Sequence, residues 1–399
     1  MLFIAGLVYF FFLSFTSAFA FSEYLQMYVL ASVLLGIFLL AKLAVSKVES
    51  IGVFSRLLQL YAIFVTSVLL VSLFSGSGKS LTYFIVYLFA FLASPLLIAI
   101  LLSLARQSDV LVFILLPIAA VSVFSILEFS FYFYGIELLD SFPRIGPLPS
   151  ATMFGIRRSF GFSNEPLNLA MYFVTFIPIV VCLCSRKIKF AAVTLVLLLI
   201  ASVTTLSSVL ALYLIIIAFY LIAMYTVKFV ALTGHLKVNK NVAKVVSLCL
   251  FTLVLGFASL SQDVALFISD FFAKALLLDH TGASGRALIY KDAFSMISFI
   301  PHGAGALASQ GLTFVNWYFE LLYDFGLPSL IIYLAIVCSF CYYILCFRSS
   351  IYPPWQKHIF AASFIALNVI QACTSVFYYP YIPLSGFLAL WYLNRSSIP

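Results

Sequence analysis

Runs of roughly twenty apolar residues, separated by short charged punctuation, recur along this chain, and that spacing restricts it to one class of fold. A helix of that length rises about 30 Å, the thickness of a bilayer's hydrocarbon core, and bonds its backbone polar groups within the segment, as lipid requires. With 65% apolar residues, 9% charged residues and a mean hydropathy of +1.19, a water-soluble domain could not bury its own surface. The expected fold is an all-α polytopic integral membrane protein forming a single transmembrane domain over residues 1–399.

Windows between the charges place spans at 2–20, 24–41, 57–75, 81–104, 110–129, 166–184, 190–204, 207–227, 245–261, 314–346, 359–376 and 382–394, about 12 transmembrane helices. The apolar run 190–226 is split at Thr204-Thr205-Leu206-Ser207-Ser208, because about 37 residues would rise roughly 55 Å, too far for one bilayer. The charges between the spans test this parity. With Met1 inside, the inner loops hold Lys42, Lys47, Arg56, Arg106, Arg186, Lys187, Lys189, Lys228, Lys237, Lys240, Lys244, Arg348, Lys357 and Arg395 against Glu49 and Asp109. The outer face holds seven cations and eleven acids. That bias puts both termini in the cytoplasm.

The formal charge of +8 is therefore a topology signal, and no nucleic-acid partner is expected. Ala18-Phe19-Ala20 resembles a signal-peptidase site, but no Lys or Arg precedes it, so 2–20 reads as a retained first span. All seven cysteines lie in apolar spans or at their ends, where cysteine acts as a small hydrophobe; Cys338 and Cys341 lack neighbouring ligands. Gly78-Lys79-Ser80 imitates a nucleotide loop, yet Leu73 stands where its first glycine belongs, which leaves an external turn.

Two outer segments, 130–165 and 262–313, carry the unusual polar residues. In the first, Pro143, Gly146, Pro147 and Pro149 forbid a helix, and Arg157-Arg158-Ser159-Phe160-Gly161-Phe162-Ser163-Asn164-Glu165-Pro166 then leads into an apolar helix that Ser163 or Asn164 can cap. Two cations, a glycine and the positive end of a helix suit a phosphate; the arginines equally suit lipid head groups. Glu165 suits capping, substrate-hydroxyl binding or general-base work.

The second segment holds Asp279-His280, Gly285-Arg286, and a short surface helix from Ala287 that carries Lys291. Pro301-His302-Gly303-Ala304-Gly305 then allows a tight backbone passage, and the next span opens with Asn316, Trp317, Glu320 and Asp324. Glu320 and Asp324 share a helix face, so their like charges call for a polar cavity offset by an arginine, Arg286 first and Arg158 second. His302 can pass a proton near neutral pH. No metal-ligand spacing occurs, so no metal and no cofactor is expected.

The block from Arg157 through Glu165-Pro166-Leu167-Asn168, together with Gly285-Arg286, Gly303, Gly305 and Asn316-Trp317-Tyr318-Phe319-Glu320-Leu321-Leu322-Tyr323-Asp324, resembles bacterial O-antigen and capsule repeat-unit polymerases and the related O-antigen ligases. The order and separation of the blocks agree over about residues 140–395. The resemblance implies a C-type membrane glycosyltransferase architecture in the bacterial inner membrane, with a periplasmic active site acting on undecaprenyl-pyrophosphate-linked oligosaccharides. Those lipids and the bilayer are the implied partners, with a chain-length regulator and a flippase beside them. Val315 stands where the ligases commonly have histidine, which favours polymerase over ligase.

By that resemblance a sugar hydroxyl of one lipid-linked unit displaces the pyrophosphate of the growing chain. Arg157 or Arg158, with Arg286, holds the leaving group, Glu165 or His302 takes the proton, and Asn168, Lys291, Asn316, Glu320 and Asp324 line the substrate. The alternatives are a ligase acting on lipid A core and a lipid-linked oligosaccharide flippase, which would need charges along a path between leaflets. Arg286→Ala should abolish long polysaccharide while protein level and lipid-linked monomer supply stay intact; a normal chain-length distribution in that variant would remove Arg286 from the mechanism.

Overall fold

In the computed structural model of the protein, residues 2–15, 27–45, 52–74, 78–136, 152–153, 156–163, 165–186, 188–231, 301–309, 317–346, 353–371 and 380–394 are described. They form helices α1 (Leu2–Phe12), α2 (Met27–Val45), α3 (Gly52–Phe74), α4 (Gly78–Leu88), α5 (Ser94–Leu104), α6 (Gln107–Tyr132), α7 (Pro166–Ser185), α8 (Lys189–Thr204), α9 (Ser208–Ala231), α10 (Ala306–Ser309), α11 (Trp317–Cys346), α12 (Pro354–Gln371) and α13 (Tyr381–Asn394). Two short strands, β1 (Thr152–Met153) and β2 (Ile156–Arg157), pair antiparallel. The chain divides into two compact units, Met1–Ala218 with Ser298–Pro399, and Phe219–Ile297. Of the second, the end of α9 is described.

Each expected span except 245–261, which lies outside the described residues, overlaps a helix, the first over Leu2–Phe12 alone. Five stretches are long and apolar enough to cross a membrane: Phe54–Phe74, Tyr83–Leu104, Gln107–Tyr132, Pro166–Ser185 and Trp317–Cys346. Shorter apolar helices at Phe3–Phe12, Met27–Leu43, Lys189–Thr204 and Val209–Tyr225 accompany them. The protein is a helical membrane protein.

Three interruptions have local causes. Between α4 and α5 the turn Phe89–Ala93 widens to a π-helix, with the Ser94 amide donating to the Phe89 carbonyl, because Pro95 has no N–H to continue the ladder. α8 stops at Thr204, where Thr204 and Thr205 turn their hydroxyls back onto the carbonyls of Ala201 and Ser202 (2.8 and 2.7 Å), and Leu206 takes a φ of 44°. The sequence expectation of a break at 204–208 coincides with this turn. Along α11 the expectation of one unbroken span, 314–346, needs correction: Gly326, at φ 76° and ψ 179°, separates two helical pieces, and Pro328 follows it. Only glycine adopts that conformation without steric penalty.

Hydrogen bonds orient the helices against one another. Gln356 at the start of α12 donates to Ser185 at the end of α7 (2.9 Å), and Lys357 donates to the Leu345 carbonyl near the end of α11 (3.1 Å). At the other end of α12, the Asn368 carbonyl accepts from Tyr318 at the start of α11 (3.0 Å). α12 therefore runs antiparallel to both α7 and α11, and the N-terminal ends of α7 and α11 share one end of the bundle. Ser163, just before α7, donates to the Ser14 carbonyl past the end of α1 (3.0 Å), so α1 finishes there too. Arg106, Arg186, Lys189 and Lys357 sit at the opposite end, where the Arg186 Nε donates to the Tyr392 hydroxyl (3.0 Å).

Aromatic rings fill the interior. Trp317 stacks on Phe91 of the π-turn (5.6 Å, 7°) and on Tyr87 (5.8 Å), and Phe325, Tyr333 and Phe64 close around the same rings. Such pairs contribute about 0.5–1.5 kcal/mol each beyond the area they bury. Phe340 of α11 lies flat against α13 at Gly386, where an added Cβ would come within 2.5 Å of the ring. Gly386→Ala should lower stability by about 1–3 kcal/mol through this overpacking, read as a lower unfolding midpoint in detergent; an unchanged midpoint would mean that the α11–α13 contact is loose.

Candidate functional site

The segment from Arg158 to Ser163 sits at the shared end of α6, α7 and α8, held by a carboxylate inside α6. Glu128 is 7% exposed, and its Oε2 accepts from the Ser159 hydroxyl (2.8 Å), the Gly161 amide (2.8 Å) and the Phe160 amide (3.2 Å). Gly161, at φ 54°, bends the backbone so that its amide joins the same oxygen. Ser159 gives its proton to Glu128, so Ser125 is the donor across the 2.7 Å contact between their hydroxyls, and Thr204 completes the cluster at 3.2 Å from Ser125. Below them Phe162 stacks between Phe15 (4.1 Å, 7°) and Phe124 (4.3 Å, 20°).

Arg158 is placed by the end of α8. The last carbonyls of a helix have no partner within it and carry the negative end of its dipole. Here the Ser159 amide donates to the Thr204 carbonyl (3.0 Å) and the Arg158 Nε to the Thr205 carbonyl (3.1 Å). Among the described residues Nε is the one Arg158 nitrogen so bonded, which leaves the terminal nitrogens for another acceptor. Half-burial pulls the Arg158 pKa below its ordinary value by desolvation, and the Glu165 carboxylate opposes that shift. The guanidinium stays protonated.

Glu165, exposed, is the residue that precedes α7, with extended backbone (φ −144°) and no side-chain capping bond; Pro166 fills the first turn. Of the two expected caps, Ser163 lies two residues before the cap position, which Glu165 fills, and donates to the Ser14 carbonyl of the segment after α1, while Asn164 lies outside the described residues. Asn168 is buried one turn into α7. Arg157 is described by its backbone alone, in β2 opposite Thr152.

At the start of α11 a second polar loop follows the same scheme. The carbonyls before the Gly326 break accept from the 302–303 backbone: Tyr323 from the His302 amide (3.3 Å), Asp324 from the Gly303 amide (2.8 Å). The Asp324 carboxylate accepts from the amides of Gly305 (2.9 Å) and Leu307 (3.3 Å), and is buried with Glu320. Gly303 and Gly305 have φ of 100° and 67°, and a Cβ on Gly305 would collide with the Tyr83 ring. This contact puts the loop beside the middle of α4.

His302 is exposed, its ring stacked on Tyr323 (4.2 Å, 6°) with Nδ1 3.0 Å from the Tyr323 carbonyl. A carbonyl can only accept, so Nδ1 is the donor in this contact.

The two loops thus lie at the same end of the bundle, with Arg158 and Glu165 on one and His302 on the other. Arg158 is bonded to the Thr205 carbonyl and His302 to the Tyr323 carbonyl, not to each other. Arg286, Lys291 and Asn316 lie outside the described residues. Sequence reasoning missed Glu128. Its signal was available, since an acid inside the apolar run 110–129 is costly in lipid unless it is bonded.

Among the described residues no group of three histidine, cysteine, aspartate or glutamate side chains is placed to hold a metal ion. No family model, curated protein or solved structure matches the chain. Asp324→Ala removes two amide contacts and should cost about 1–3 kcal/mol, with Asp324→Asn intermediate. Faster limited proteolysis at 301–309 is the readout, and wild-type protection in the alanine variant would show that the loop is held by something else.

Proposed function

We propose that the protein is an oligosaccharide repeat-unit polymerase, a glycosyltransferase of C-type architecture with about twelve spans in the bacterial inner membrane. In this reading both termini are cytoplasmic and the two polar loops face the periplasm. The observation that carries it is Arg158: a half-buried guanidinium tied by one nitrogen to a helix end, terminal nitrogens unspent, beside a carboxylate. A cation fixed in a partly desolvated setting holds a pyrophosphate more strongly than one in open water. The resemblance of the flanking blocks supplies the substrate class.

The reaction is a displacement at an anomeric carbon. A hydroxyl oxygen at the nonreducing end of one lipid-linked unit forms the new C–O bond. The bond from that carbon to the pyrophosphate of the growing chain breaks, and its electron pair leaves with the undecaprenyl pyrophosphate. Arg158, with Arg286 and Arg157, offsets the charge that develops there, each such contact contributing about 1.5–3 kcal/mol if it strengthens in the transition state.

His302 is the better base of the two candidates. An in-line attack brings the hydroxyl to the face opposite the leaving group, and Glu165 shares its charge with the arginine assigned to that group. The Nδ1–carbonyl contact leaves Nε2 of His302 open to accept the proton. Glu165 then orients Arg158, and by the resemblance Asn168, Lys291, Asn316, Glu320 and Asp324 contact the substrate.

Reconstitution with defined undecaprenyl-pyrophosphate oligosaccharide tests this reading. Wild-type protein should yield a ladder of products. Arg158→Ala should lower kcat/KM by about tenfold or more, with Arg158→Lys recovering part of the loss, and His302→Ala should lower kcat. A single addition to lipid A core would make the protein a ligase. Unchanged lipid appearing in the opposite leaflet would make it a flippase.

A further inference from the structure

We infer that Glu128 is a positioning residue for the anion site: its carboxylate locks the 159–161 backbone, and thereby sets where Arg158 meets the pyrophosphate. The inference rests on the polymerase reading of Arg158 and adds the residue that prepares it. Three donors converge on one Glu128 oxygen, two of them backbone amides, and the chain that supplies them begins at the residue next to Arg158. Ser159 is held twice more, by Ser125 at 2.7 Å and by the Thr204 carbonyl at 3.0 Å. Arg158 is thus pinned through its following residue and through its own Nε, and both attachments lead to the outer ends of α6 and α8.

A carboxylate placed at 7% exposure inside an apolar helix costs free energy that amide and hydroxyl donors offset. An aspartate or glutamate used only to stabilise the bundle could be replaced by a leucine with no effect on ligand affinity. A positioning role predicts otherwise. If removal of the anchor leaves Arg158 correctly placed in about a tenth of molecules, apparent affinity for the anion falls about tenfold.

The full-length protein in nanodiscs, titrated with farnesyl pyrophosphate, provides the test, with farnesol as the control lacking phosphate. Arg158→Ala should abolish the preference for the pyrophosphate. Glu128→Ala should weaken farnesyl pyrophosphate binding about tenfold in the folded fraction, and raise KM for the lipid-linked donor by a similar factor with kcat largely kept. Glu128→Gln, whose amide oxygen still accepts, should restore most of the affinity. Should Glu128→Ala fail to fold, Glu128→Asp, which withdraws the carboxylate by one methylene, takes its place with a smaller loss.

Wild-type affinity in the folded alanine or aspartate variant, alongside lost binding in Arg158→Ala, overturns the positioning role and leaves the site reading intact. Wild-type affinity in Arg158→Ala overturns the site reading, and the role of Glu128 with it.

Discussion

A backbone carbonyl at the end of a helix inside an apolar layer has no water to bond, and leaving it bare costs several kcal/mol. Two helices stop within reach of the same end of this bundle, α8 at Thr204 and the first part of α11 before Gly326. Each is completed by a polar loop: Arg158 and Ser159 on Thr204 and Thr205, His302 and Gly303 on Tyr323 and Asp324. The candidate chemistry therefore resides on segments whose first obligation is to the backbone. Once the helix ends are satisfied, Arg158 and His302 are held by these bonds before any ligand arrives, which in the proposed reading limits the side-chain entropy lost on binding.

Acids on the helices repeat the arrangement. Glu128 gathers the amides of Phe160 and Gly161, and Asp324 those of Gly305 and Leu307. In each loop a glycine with positive φ, Gly161 or Gly305, turns an N–H toward the carboxylate. The loops are thus clasped from both directions, their amides by helix carboxylates and helix carbonyls alike.

Much of this architecture is legible in the sequence, because hydrophobic run length and bilayer thickness are one-dimensional constraints. The break at 204–208 follows from length alone, and the opposition of Arg106, Arg186, Lys189 and Lys357 to the polar loops follows from loop charge. The break at Gly326 was within reach, since glycine two residues before Pro328 is a poor helix interior. The destinations of polar side chains were not. Ser163 has the spacing of a cap but bonds α1 across 149 residues of sequence, and the meaning of Glu128 depends on amides more than thirty positions away. The pairing of Glu320 with Asp324 on one helix face suggests repulsion awaiting an arginine; Arg286 lies outside the described residues, and the amides of Gly305 and Leu307 bond Asp324.

That division of labour explains why a cation can remain available in so apolar a protein. Had Glu128 been balanced by Arg158 in a buried ion pair, the guanidinium would have arrived at the site already neutralised, and a phosphate would have had to displace a carboxylate to reach it. Glu128 accepts from N–H and O–H donors, and the acid that raises the Arg158 pKa is the exposed Glu165, where solvent screening weakens the attraction. A buried acid that accepts from backbone amides and a cation held by a helix carbonyl thus occupy neighbouring positions. The same separation operates at the second loop, where Asp324 is committed to amides and the Nε2 of His302 is left open.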